Sequence, residues 1–301
     1  MRQGKRALGD QFAIAMHRPT CRLHLQSIRD GTMRFWPGKP NIHALGMQKY
    51  LRELSGVVWR EQNNAYREGL NLQEETITEC LLLQMARDLP NAGFRVRLFT
   101  REREKDTGAD WVWFFKQGPC RIGFRVQAKK LYRRHDRRPG RTNQLMPGRY
   151  DGHVLKKGQT KTLIKRAGPN NPIYVFYNHD HVKNRQLFRQ VSSGFKPPSF
   201  WGCSVASANF VERKKSRTLS VLHPGMRPLH ELFQYGPGCG LANGLKLLDP
   251  DMETKMHDGD PDWARLQENT TEMQSYLMAE NLNGIAYFDA SEVGEDFFVP
   301  C

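Results

Sequence analysis

The sequence predicts an α/β fold. The prediction rests on two amphipathic helix patterns near the start, three short strands in succession after them, and later strands separated by helical or Gly- and Pro-rich stretches. The chain has 301 residues, 39% of them hydrophobic, with 6 Trp and 16 Phe. That is enough for one large domain or two small ones and unlike a disordered chain.

Residues 1–46 mix Arg, Gly and Pro with little periodicity and read as a poorly structured extension, with Met33 and Met47 as alternative starts. The main domain is expected over 47–248, with its core at about 72–180. Met47 opens a helical pattern, Leu51, Leu54, Val57 and Val58, expected to run to about Asn63. A second helix is expected over about Leu72–Leu89, with Asn71 as N-cap and Glu74 three residues on completing a capping box. Glu75 and Glu79 have no such local task and flank the apolar direction of Leu82, Met85 and Leu89, where a carboxylate is costly unless it meets a cation.

Three strands are expected over Phe94–Thr100, Ala109–Phe115 and Arg121–Leu131, the last two joined by the turn Lys116–Pro119. The third alternates cleanly: Ile122, Phe124, Val126 and Ala128 on one face, Arg125, Gln127 and Lys129 on the other, away from the core. Trp111, Trp113 and Phe115 are read as core packing. Tyr132–Gly168 reads as a long loop with one helix, Pro172–Asn178 as a central strand and Ser199–Ala208 as another. A basic tract at 213–217 and a Gly/Pro-rich stretch at 224–244 follow. Residues 249–301 are expected to add an acidic loop, a helix over about Pro261–Glu280 and a strand at Gly284–Phe288, packed on the same domain.

No apolar run approaches the ~20 residues that cross a bilayer, and Phe12–Met16 is too short for a secretory signal, so no membrane association and a cytoplasmic location are expected. The six cysteines form no C-x-x-C pair and are expected as free, mostly packed thiols. A zinc site from Cys203, His223, His230 and Cys239 has irregular spacing and is not favoured.

The net charge is +15 and unevenly spread. Residues 121–166 hold 15 Lys and Arg against 2 Asp, and residues 249–301 hold 13 Asp and Glu against 2 Lys and Arg. A basic concentration starting on the third strand points to a polyanionic partner, nucleic acid first. Arg125, Lys130, Arg133, Arg134, Arg137 and Arg138, with Tyr132, are the candidates to follow a phosphate backbone. The acidic C-terminal stretch is a candidate to screen that surface.

Chemistry concentrates in Gly108-Ala109-Asp110, opening the second strand, and Gln127-Ala128-Lys129, closing the third. With Glu79 or Glu75 on the preceding helix, this ordered set resembles the PD-(D/E)XK restriction-endonuclease-like superfamily. Gln127 stands in place of the usual acid, as in the Gln-x-Lys branch of type IV restriction-like nucleases. The stretch from Glu75 to Asn178, with Trp201-Gly202-Cys203-Ser204, is also similar to an uncharacterised bacterial family within that superfamily. Glu102 and Glu104 are further carboxylates in the loop before Asp110, read as solvated.

The resemblance implies a restriction-endonuclease-like core, a mixed central β-sheet flanked by α-helices. It implies a Mg²⁺-dependent (or Mn²⁺-dependent) endonuclease, on DNA ahead of RNA, in bacterial defence. Asp110, Gln127, the Ala128 carbonyl and Glu79 would hold the metal, and Lys129 would stabilise charge near the attacking water. The Asp110 and Gln127 side-chain oxygens and the Ala128 carbonyl should then converge within about 5 Å, with the helix carboxylate facing them, as octahedral coordination requires. The alternatives are a nuclease-fold subunit that binds nucleic acid without cutting it and a partner-activated effector. A homodimer or a partner protein stays open.

Overall fold

In the computed structural model, residues 46–89, 94–98, 110–117, 119–134, 144–150, 158–189, 197–234, 239–265, 270–280, 282 and 284–289 are described. Residues 1–45, Glu102, Glu104, Arg137 and Arg138 lie outside them.

Helix α1 (Met47–Arg67) and helix α2 (Glu74–Asp88) come first. Strands β1 (Phe94–Leu98), β2 (Trp111–Gln117) and β3 (Cys120–Tyr132) follow. The middle of the chain gives β4 (Arg149–Tyr150), α3 (Gln159–Lys165), β5 (Asn171–Tyr177), β6 (Cys203–Ser207) and α4 (Ala208–Lys214). Then come α5 (Leu219–Leu222), β7 (Arg227–Pro228), α6 (Gly240–Leu248), α7 (Thr271–Glu280) and β8 (Gly284–Asp289).

The sheet order is β1-β8-β2-β3-β5-β6-β7, with β4 on the end of β3. It is mixed: β2–β8 and β3–β5 are parallel, while β1–β8, β2–β3, β5–β6 and β6–β7 are antiparallel. The fold is therefore α/β, a mixed sheet flanked by helices. The described residues belong to one unit spanning 38–301.

Each face of the sheet has its own apolar core. Even-numbered β3 residues (Ile122, Phe124, Val126 and Ala128) join Trp111, Trp113, Phe115, the α1 stripe of Leu51, Leu54 and Val58, and Ile77, Leu81, Leu82 and Met85 of α2. Val112, Phe114, Tyr174 and Phe176 on the other face pack with Leu163 of α3, Val211 of α4, Leu219 and Leu222 of α5, and Met273 and Leu277 of α7. β5 is buried at every position, as its apolar run suggests. The second layer corrects one expectation: Gln127 and Lys129 are buried, at 2% and 4% exposure, because α3 and its neighbours cover the face that sequence alternation assigned to solvent.

One close approach fixes α1 on the sheet. A Cβ at Gly202, just before β6, would meet the Ser55 carbonyl oxygen of α1 at 1.9 Å, so only glycine fits.

Several boundaries shift. The β2–β3 hairpin pairs up to Gln117 and Cys120, a tighter turn than expected. The stretch read as one strand at Ser199–Ala208 divides into a 3-10 turn (Pro198–Gly202), β6, and α4, whose N-cap Ser207 accepts bonds from Asn209 N and Phe210 N. In the expected helix Pro261–Glu280, α7 begins only at Thr271, after a 3-10 turn at Asp262–Arg265.

Cys120 and Cys239 form a disulfide between the start of β3 and the residue before α6. The expectation of free thiols holds for Cys80 and Cys203 but fails here, since 119 residues separate the pair and only the tertiary fold brings them together. Cys239 is thereby removed from any zinc set, and Cys203 is buried in the core beside Ser55. Among the described residues no helix is long and apolar enough to cross a membrane.

Candidate active site

The site forms where β2 and β3 part. The last rung between them is Trp111 opposite Val126, followed by a bond from Asp110 N to Val126 O at 2.8 Å. β3 runs on to Tyr132 without β2 beside it. Strand geometry points the N–H and C=O groups of Ala128 and Lys130 into the vacated space, as at Val126. Buried peptide groups require partners. Two carboxylates supply them: Asp110 Oδ2 accepts from Ala128 N at 2.6 Å, and Glu74 Oε2 accepts from Lys130 N at 2.9 Å. The sheet leaves a notch with two acids along its wall.

Lys129 joins the two acids. Its Nζ donates to Glu74 Oε1 at 3.0 Å, with 5% of its side chain exposed. It is also the largest favourable charge acting on Asp110. Gln127 Nε2 donates to Asp110 Oδ2 at 2.7 Å and lies 3.4 Å from the Ala128 carbonyl. Its Oε1 accepts from Gln159 Nε2, the first side chain of α3, at 3.1 Å. Gly158 before it has φ +97°, a left-handed turn that favours glycine. Thr160 and Tyr174, whose hydroxyls lie 2.9 Å apart, hold the first turn of α3 against β5, where Tyr174 pairs with Gln127.

Burial raises the proton affinity of both acids. The Glu74 carboxyl is pushed up to about 7, first by burial, then by the Asp110 charge, against the pull of Lys129. Asp110 is raised in the same direction by burial and by the charge of Glu75, against Lys129 and its own hydrogen bonds. Two acids with lifted pKa values beside a buried ammonium make the notch a candidate functional site.

The helix acid is Glu74, which corrects both the assignment of Glu79 and the capping box. α2 starts two residues later than expected, and its N-cap, Gln73, makes no side-chain cap bond. The buried Lys129 ammonium and the open Lys130 N–H offer Glu74 charge-assisted partners stronger than a capping contact. Asn71 accepts from Lys130 Nζ instead of capping α2. Glu79 is exposed, more than a turn further on. Glu75 is half-buried and close enough to act on Asp110 electrostatically.

The phosphate-tracking set divides. Arg125 is buried, its guanidinium bonded to Arg166 O at 3.1 Å, Glu280 Oε2 at 3.2 Å and Glu280 O at 2.6 Å, so it closes α7 on the sheet and is not free for nucleic acid. Lys130 is buried too: its Nζ holds Asn71 and the Leu72 carbonyl, lies over the rings of Tyr66 and Tyr132 at 5.3 and 5.4 Å, and is pushed down to about 8 by burial. Arg133 is half-buried and donates to Tyr66 O at 3.0 Å. Arg134 is exposed.

Some of the exposed cations lie on loops joined to this end of β3. Met146 N donates to Arg134 O at 2.8 Å, Lys183 N to Met146 O at 3.0 Å, and Tyr150 N to Arg217 O at 2.9 Å. These bonds tie three loops together, on which Arg134, Arg149, Lys183 and Lys215 are exposed. The tract at 213–217 was the sequence signal for part of this rim. Gln159 gave no signal, lying inside a stretch that reads as loop.

The acidic C-terminal stretch pairs at the far end of the hairpin. Asp260 meets Lys116 at 3.4 Å and Arg121 at 3.2 Å, and Asp289 meets Lys116 at 3.1 Å. Arg121 and Lys129 are eight residues apart on β3, about 26 Å at ~3.3 Å per residue. Asp260 and Asp289 thus neutralise the other end of the strand, while Glu280 meets Arg125 at 3.2 Å and Asp249 meets Arg213 of the basic tract at 3.0 Å.

Among the described residues no group of three or more His, Cys, Asp or Glu is placed to hold a metal ion. What the notch offers is two carboxylates and the Ala128 carbonyl, with the Gln127 amide nitrogen turned to Asp110 and its oxygen to Gln159. Among the described residues no donor reaches Asp110 Oδ1, since both of its hydrogen bonds fall on Oδ2.

A model of a family of unknown function (DUF6615) matches residues 47–294, and the chain belongs to that family. No curated protein matches the chain. No solved structure matches it either.

Proposed function

We propose that this chain, a member of that family, is a metal-dependent phosphodiesterase acting on nucleic acid, DNA ahead of RNA, with a restriction-endonuclease-like core. The observation that carries the reading is the parting of β2 from β3, which gathers Asp110, Gln127, Lys129 and Glu74 around one notch. The donor set suits Mg²⁺ or Mn²⁺, hard cations that take oxygen ligands and keep several waters. Asp110 Oδ1, the Ala128 carbonyl and Gln127 Oε1 would hold the ion, with Glu74 on the far side. When bound, it would neutralise phosphate charge and acidify a water.

The protein groups have separate tasks. Lys129, held by Glu74 at 3.0 Å, faces the developing negative charge on the phosphate. Glu74, bonded to Lys129 Nζ and Lys130 N, holds the ammonium in the notch and would be ionised with the cation bound. Arg134, Arg149, Lys183 and Lys215 give the substrate backbone a sequence-independent track toward the notch. A role in defence against foreign DNA rests on analogy with the superfamily alone.

One observation favours a second reading, a nuclease-fold module that binds without cutting: Gln127 turns its amide nitrogen, not its oxygen, to Asp110. The test is metal-titrated cleavage of plasmid, single-stranded DNA and RNA by the wild type, Asp110→Ala and Lys129→Ala. Each variant should lose Mg²⁺-dependent cleavage by 100-fold or more, as an order of magnitude for a transition-state donor, while unfolding cooperatively. Cleavage persisting in both folded variants sinks the proposal. Binding without cleavage in the wild type selects the second reading.

A further inference from the structure

Gln127 carries a single amide whose two ends have different partners. Nε2 faces Asp110 Oδ2 at 2.7 Å, and Oε1 faces Gln159 Nε2 at 3.1 Å. At the far end of the Gln159 amide, Oε1 is buried and meets no donor among the described residues. A buried acceptor without a partner is disfavoured and calls for an explanation.

Nothing at that far end fixes which way the Gln159 amide points. It can donate to Gln127 with Nε2, as it does, or turn and accept with Oε1, at an equal count of hydrogen bonds. The terminal torsion of a glutamine is broad and roughly two-fold, so the turn meets no torsional obstacle. The backbone need not follow, because Gly158 and the Thr160–Tyr174 contact hold the start of α3.

Gln127 needs that freedom. Its amide NH₂ now faces Oδ2 of the carboxylate that would hold the cation through Oδ1. A cation on Asp110 repels the NH₂ and attracts the amide oxygen, so Gln127 must reverse. Its NH₂ then needs an acceptor where Gln159 stands. Glutamine at 159 supplies either polarity, whereas a side chain able only to donate would hold Gln127 with its oxygen turned away.

We propose that Gln159 is a positioning residue that lets Gln127 reverse its amide when a divalent cation binds at Asp110, by exchanging its donor for its presently unpartnered acceptor. The inference rests on reading the notch as a cation site.

Calorimetric titration of the full chain with Mg²⁺ tests it. Gln159→Met keeps the length and packing but removes both hydrogen-bonding ends. It should weaken Mg²⁺ binding by about tenfold, as loss of an outer partner typically does, with its thermal unfolding unchanged. Gln159→Glu, which only accepts, should bind Mg²⁺ at least as tightly as wild type. Wild-type affinity in Gln159→Met overturns the inference alone. A wild type that takes up neither Mg²⁺ nor Mn²⁺ overturns it together with the nuclease reading. A measurement free of variants uses wild-type protein carrying isotope-labelled glutamine: the side-chain amide resonances of Gln127 and Gln159 should shift together over one Mg²⁺ titration. Movement of Gln127 while Gln159 stays still also overturns the proposal.

Discussion

Glu74→Gln probes the electrostatics of the notch most directly, because it removes a charge while keeping shape. In the folded protein the Glu74 carboxyl titrates near 7 in place of its ordinary 4.5, chiefly through burial. Between those values the folded chain holds a proton that the unfolded chain has released. The unfolding free energy therefore falls as pH rises from about 4.5 to about 7, and the loss is complete above the folded value. At ~1.4 kcal/mol per unit the swing is about 3 kcal/mol, a large share of the ~5–15 kcal/mol typical of a domain. Asp110 is raised by the same burial and adds in the same direction. The assay is urea unfolding with a chelator present, at half-unit intervals from pH 5 to 8, for wild type and Glu74→Gln. The wild type should lose stability across the window. The variant should lose less, since no charge forms at 74 and Asp110 no longer ionises beside a second anion there. Replacing the chelator with Mg²⁺ should flatten the wild-type profile, because a bound dication favours both ionised acids. Equal slopes in the two proteins would refute the account of the pair.

Gly202→Ala places a methyl group against the Ser55 carbonyl oxygen, 1.9 Å from where a Cβ would sit. It should lift α1 from the end of the sheet and destabilise the fold by about 2 kcal/mol or more, read as a fall in Tm, as overpacking against backbone does. A Tm within a degree of wild type would contradict the packing described. Arg149→Ala with Lys215→Ala should weaken DNA binding and shallow its salt dependence by up to about 2 in log–log slope, one per phosphate contact. Arg125→Ala should lower Tm through the lost Glu280 contacts and leave that slope unchanged. A shallower slope for Arg125→Ala would show that its buried place is misread.

What could be read from the sequence follows periodicity. The clean two-residue alternation of β3 and the apolar run of β5 give both strands to within a residue or two. Asp110, Gln127 and Lys129 were legible as a group because strand ends fix where such side chains point, and the structure does bring them together. Glu74 was not, because its capping signal was local and plausible while its real partners, Lys129 and Lys130, lie more than fifty residues away. Gln159 escaped for a similar reason, since a seven-residue helix has too few turns to declare a face. Burial of Arg125 and Lys130 was invisible because a run of cations reads as solvated until the helix that covers it is known. The Cys120–Cys239 pair needed the same long-range knowledge.

The position of β8 also bears on how the chain is made. β8 separates β1 from β2, pairing with each, although it is the last described strand to be synthesised. During translation β1 and β2 emerge early and wait with unpaired edges while α3 to α7 are still being added. β1 and one edge of β2 stay open to non-native pairing until about residue 289 has left the ribosome. A chain interrupted before Gly284 would carry every residue of the notch and still lack the strand that joins β1 to β2. Such fragments should be cleared by proteases or recovered as aggregates, and not as smaller working proteins.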